Sequence, residues 1–165
     1  MNRTISVARM HMGDKMSWYF VPAIVLLSSF LVNYGIAWFV NEPLYTGAVA
    51  AIPITAFTFG LVVLSQTFPF ALGLSISRTH YFFGTVLVAA LFSAEVAILF
   101  TLLSFVEGEL WVGWGVDLHY FNLPYLNEGG WLGQMWVFFA GILHLYMFSL
   151  CISSVHRRFG RLGMY

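Results

Sequence analysis

Apolar residues in this chain fall into four long runs, 18–40, 48–66, 81–106 and 131–155, and the polar residues gather in the segments between them. The first run has no charged residue, and as a helix rising about 1.5 Å per residue it reaches roughly 34 Å, enough to cross a bilayer's hydrocarbon with some tilt. The pattern predicts an all-α integral membrane protein with four transmembrane helices. Residues 1–17 mix Arg3, Arg9 and Lys15 with Ile5, Val7, Ala8, Met10 and Met12, which suits a short interfacial helix. The apolar run after it is too long for the h-region of a signal peptide, so it reads as an uncleaved first span.

Composition supports this frame. Hydrophobic residues make up 60% of the 165 and charged residues 8%, where a soluble domain carries about 25% charged side chains. A net charge of zero hides a strong segregation. All seven lysines and arginines lie near the N-terminus, at Arg78, or near the C-terminus, whereas Glu42, Glu107, Glu109, Asp117 and Glu128 lie in the alternate segments. With four spans the basic segments share one side, and the positive-inside rule places both termini and the segment 67–80 in the cytoplasm of a multi-pass cell-membrane protein. No basic patch suited to nucleic acid is present. Cys151 is the only cysteine, so neither an intrachain disulfide nor a cysteine metal cluster can form.

Several polar residues stand out against the apolar runs. Ser29, Asn33 and Ala37 recur every four residues on the first span, a face for helix packing with Asn33 hydrogen-bonded to a neighbour, or the lining of a path. Pro53 predicts a kink in the second span. Ala89, Ala90, Ser93, Ala94 and Ala97 form a close-packing face on the third span, and Glu95 projects nearly opposite, beside Val88, Leu91, Leu99 and Leu102. An ionised carboxylate at that depth costs about 3 kcal/mol, so Glu95 should be protonated, paired or facing a wet cavity. It is either an interhelical hydrogen-bonding group or part of a transport or proton path. His144, central in the fourth span among Gly133, Ala140, Gly141, Phe148 and Cys151, is expected to point into the bundle. Residues 107–130 combine acids with Trp111, Trp114, Tyr120, Phe121 and Tyr125, as in an aromatic and acidic extracytoplasmic loop of short helical pieces at the membrane surface. Glu107, Glu109, Asp117 and His119 have no diagnostic metal-ligand spacing, and no metal site is assigned.

The chain lacks a Gly-Lys-Ser/Thr phosphate loop, and Lys15 is its only lysine, so it carries no nucleotide-hydrolysing motif of its own. H-E-x-x-H and C-x-x-C are also missing. No enzymatic activity is expected of this chain. A haem anchor would need His144 donated from two copies, because His80 and His156 lie at the cytoplasmic edge and His119 outside; a haem- or quinone-binding membrane anchor stays open as an alternative.

Three stretches resemble the permease subunits of type-2 ABC exporters, in particular the short hydrophobic ones of actinobacteria: VARMHM before the first span, QTFPFALGLSISRTHYFFGT between the second and third, and GWGVDLHYFNLPYL before the fourth. The central stretch is the most specific, with Arg78, Tyr81, Phe82, Gly84 and Thr85 in the family's pattern. The resemblance covers nearly the whole chain. It implies a subunit that pairs with a second permease chain and docks on a cytoplasmic ATPase, where ATP and magnesium would bind. Residues 67–80 would form a coupling-type helix, with Phe68, Phe70, Leu74, Arg78 and His80 as the docking residues. Asn33, Glu95 and His144 would line or brace the path. Family members usually have six spans and this chain shows four, which leaves a second expectation open, a non-transporting anchor or assembly subunit of a larger complex.

Overall fold

The computed structural model describes residues 3–13, 16–40, 42–126 and 129–159, so expectations resting on Lys15, Glu128 and Arg161 fall outside the described residues. Five helices carry the fold: α1 (Arg3–Gly13), α2 (Val21–Ala37), α3 (Ala51–Gly73), α4 (Arg78–Phe105) and α5 (Gly130–Phe159). With the turns that extend them, four are long and apolar enough to cross a membrane: Trp18–Ala37, Gly47–Gly73, Arg78–Leu110 and Gly130–Phe159. Leu27, Leu31, Ile54, Leu91, Leu102, Trp136 and Phe148 cover their outer faces and are all exposed. Such surfaces are stable against lipid and not against water. The chain is an all-α, multi-pass membrane protein.

The helices pack through small residues. On α4, Ala89, Ser93 and Ala97 are fully or almost fully buried, as expected of the alanine face. Antiparallel α5 meets α4 where Phe100 crosses Phe138 edge to face at 5.2 Å and Gln134 Nε2 donates to Ser104 Oγ at 2.8 Å. α3 and α5 approach closely at Gly60, where a Cβ would lie 2.8 Å from the Tyr146 carbonyl oxygen and overlap Ser149 Oγ. α2 stands further out and leans on α3 and on the loop after α4.

The polar connections collect at two ends. At one, α1 and the exposed arginines Arg9, Arg78, Arg157 and Arg158 surround the turn between α3 and α4. At the other, a two-residue parallel pairing joins β1 (Leu44–Tyr45) to β2 (Leu118–His119), among Glu42, Glu107, Glu109 and Asp117. They form a basic end and an acidic end.

Two local expectations are corrected. Pro53 does not kink a helix interior: it is the third residue of α3, following a tight turn at Gly47–Ala50, and there its missing N–H is one that no helical carbonyl would have received. The interior proline of α3 is Pro69. The segment 67–80 is not a separate coupling-type helix either. α3 continues to Gly73, α4 begins at Arg78, and only four residues lie between.

That short turn has a specific cause. Ser75 adopts a left-handed conformation (φ 58°), and the amides of Ile76 and Ser75 donate back to the carbonyls of Ala71 (3.1 Å) and Leu72 (2.9 Å), the paired bonds that close a helix C-terminus. Ile76 packs in the same small cluster as Ala71, Val7 and Tyr81. Directly afterwards Ser77, in extended backbone, caps α4 by accepting from the His80 amide at 3.3 Å. A helix end and a helix start share four residues, leaving no chain for a helix between them.

Candidate functional site

At the basic end, α1 is locked onto α4. A Cβ on Gly84 would come within 2.6 Å of the Val7 Cβ, so a glycine at 84 is what lets α1 lie so close. His11 Nε2 and Thr85 Oγ1 are 3.2 Å apart, and the His11 ring meets Trp18 and Tyr81 edge to face at 6.2 and 5.8 Å. Burial pushes the His11 imidazole from 6.5 down to about 4. Its docked value is lower than its free value, so the undocked helix takes up the proton first. The contribution of neutral His11 to docking is therefore complete above about pH 6.5 and is lost progressively toward pH 4. Limited proteolysis of α1 should accelerate across that window, and His11→Gln, which keeps a partner for Thr85 without titrating, should flatten the response.

The residues expected to dock a partner divide into two groups. Phe70, Leu74 and Arg78 are exposed around the turn. Phe68 and His80 are half-buried: Phe68 lies edge to face on Tyr81 at 5.0 Å beneath the Arg157 guanidinium at 4.3 Å, and His80 Nδ1 is 3.3 Å from Thr4 Oγ1. Arg157 Nη1 also donates to the Leu64 carbonyl at 3.2 Å, which holds the end of α5 to α3. Phe68 and His80 brace the turn from within, and the free surface belongs to Phe70, Leu74 and Arg78.

In the middle of the spans, Glu95 is exposed on α4 and lines a groove of about 540 Å³ between α2 and α4. Leu26, Phe30, Phe92 and Phe121 are among its apolar walls, Trp18 and Trp114 also border it, and Glu95 is the single charged residue in its lining. An interhelical hydrogen bond from Glu95 is not found among the described residues. The position of His144 corrects the expectation that it points into the bundle. The inward stripe of α5 is Gln134, Phe138, Ile142, Tyr146 and Ser149, and His144 is exposed. Two residues on from Ile142 is about 200° around a helix, and the large apolar side chains rather than the glycines took the inner face. Asn33 is half-buried. Its amide donates to the Ser29 carbonyl at 2.8 Å, and its oxygen accepts from Thr46 Oγ1 at 2.9 Å, tying α2 to the connection that follows it.

The acidic end is organised by Glu107. Its carboxylate is fully buried and accepts from the backbone amides of Tyr120 (2.9 Å), Phe121 (3.0 Å) and Asn122 (2.9 Å) and from Trp114 Nε1 (2.8 Å). Tyr120, whose amide it holds, donates its hydroxyl toward Ser29 Oγ at 2.9 Å and the Ala48 carbonyl at 3.1 Å, and burial raises that phenol above its ordinary value. Glu107, Glu109, Asp117 and His119 are not brought together: among the described residues no three metal-ligating side chains converge, and the His119 ring stacks on Tyr45 at 4.5 Å. Sequence reasoning missed both Glu107 and His11 as organising residues. Glu107 differs from exposed Glu109 only in helical phase, so nothing in the sequence separates the two.

Comparison with protein-family models, with curated proteins and with solved structures gives no match to this chain.

Proposed function

We propose that this chain is a membrane subunit of an ABC exporter, set in the cell membrane with its basic end in the cytoplasm, where the turn between α3 and α4 docks a separate ATPase. A second permease chain completes the assembly, and ATP with magnesium binds on the ATPase. The observation that carries the reading is the exposed triad of Phe70 in the last turn of α3, Leu74 in the four-residue turn and Arg78 at the start of α4. Two aromatic or aliphatic anchors beside a guanidinium are the side chains that fill and rim a protein groove. The turn is also stiff, because both helix ends that form it are closed by their own hydrogen bonds. A displacement of the turn would pass into α3 and α4 rather than be absorbed, and α4 forms one wall of the Glu95 groove. The positive-inside rule supports the orientation, since Arg9, Arg78, Arg157 and Arg158 share one end. Isolation of the tagged chain from its native membrane in mild detergent tests the reading, and a magnesium-dependent ATPase should accompany it.

A further inference from the structure

The groove between α2 and α4 holds one acid in an otherwise apolar and aromatic wall, at a depth where an ionised carboxylate is costly without a partner. Glu95 has no hydrogen-bond or ion-pair partner among the described residues, and it faces both this groove and a smaller recess beside Met12, Trp18 and Leu91. The space, about 540 Å³, is that of a small-molecule site. We propose that it binds a lipophilic cation, with a protonated amine beside Glu95 and an apolar or aromatic body laid along Leu26, Phe30, Phe92 and Phe121. Charge decides the occupant. A lipid chain fills the apolar walls and leaves the carboxylate unpaired, whereas an amphipathic amine satisfies both, and the aromatic rings add attraction for the cation.

A second copy of the chain is a poorer fit. The described arginines lie outside the spans or at their basic ends, so none reaches the depth of Glu95. His144 does reach it: extending the register of Phe100 on Phe138 sets Ala94 level with His144. Both Glu95 and His144 are exposed, so pairing between copies is a distinct outcome that the test must separate. The proposal concerns binding alone and does not depend on the export reading.

The experiment uses the full chain in nanodiscs of neutral lipid and two probes: a dansyl amide bearing a dimethylaminopropyl group, and the dansyl propylamide that lacks the amine. Trp18 and Trp114 border the groove and report binding by energy transfer to the dansyl ring. The amine probe should bind saturably, about tenfold or more tighter than the neutral one at pH 7. Glu95→Gln should remove that preference and leave the neutral probe unchanged. Ala23→Phe, which fills the groove, should weaken both probes. Equal affinity for the two probes, or an amine preference that survives Glu95→Gln, would overturn the proposal. So would a Glu95→Gln chain that loses amine binding only because an oligomer has dissociated, as read by size-exclusion light scattering.

Discussion

Glu107→Ala should cost about 3 kcal/mol or more of stability, because four donors lose their acceptor, two of them buried amides and two half-buried groups, and each buried unsatisfied group costs about 1–3 kcal/mol. The three amides belong to consecutive residues, Tyr120, Phe121 and Asn122, and the fourth donor is the Trp114 indole. The carboxylate thus fastens the loop at two places. Here the backbone is strained at two side-chain-bearing residues, Trp114 and Asp117, whose φ are 56° and 51°, beside Gly113 and Gly115, which take positive φ at no steric cost. For a side chain as large as tryptophan that conformation persists only when its surroundings impose it. Removing the carboxylate should therefore free the 111–122 loop as well as lower the melting temperature. Glu107→Gln keeps one acceptor but turns an NH₂ toward donors, so a loss of about half that size is expected. Thermal unfolding in detergent gives the magnitude, and protease cleavage within 111–122 shows whether the loop was what gave way. Glu109→Ala, at an exposed position, should leave both readouts unchanged.

The second large effect is expected at Gly60. Its missing side chain lets α3 and α5 touch backbone to backbone, with the Tyr146 carbonyl 2.8 Å from where a Cβ would stand. A carbonyl within a helix cannot step aside without moving the helix, so Gly60→Val should separate α3 from α5 and cost about 3 kcal/mol, the upper part of the overpacking range. Around this contact the helices also bond through Ser153 Oγ to the Leu61 carbonyl at 3.0 Å and through Arg157 to Leu64. These should weaken together. Ser149→Ala removes the hydroxyl that meets the same space, so combining it with Gly60→Ala should recover part of the loss caused by Gly60→Ala alone. Melting curves of the three variants decide this. Equal stability of Gly60→Val and the parent chain would mean that the two helices are not in contact there.

Much of the architecture was legible because membranes impose strong rules. Runs without charge reveal spans, and the distribution of arginines against acids divided the connections into two groups that do gather at two ends. On α4 Ala89, Ser93 and Ala97 are buried as expected of a packing face, while Ala90 and Ala94 are only half-buried. What was not legible depended on helical phase and on hydrogen bonding across the chain. On α5 a small-residue stripe suggested that His144 points inward, but Phe138, Ile142 and Tyr146 supply the inner face instead. The resemblance implied a coupling-type helix within 67–80, yet Ser75 closes one helix and Ser77 starts the next. Glu107 looked like one of several loop acids, and only the fold of 114–122 around it reveals its role. Glu95 was identified as an outlier, but its groove required the separation of α2 from α4.

Whether the turn between α3 and α4 is a docking surface is decided by the native isolation carried out beside a Phe70→Ala, Arg78→Ala chain. Both side chains are exposed and neither has a structural partner among the described residues, so the variant should insert and melt like the parent. The parent chain should bring down a magnesium-dependent ATPase, and the variant should lose most of it while remaining in the membrane. A parent chain whose partners include no nucleotide-hydrolysing subunit, or a variant that retains the ATPase in full, would contradict it.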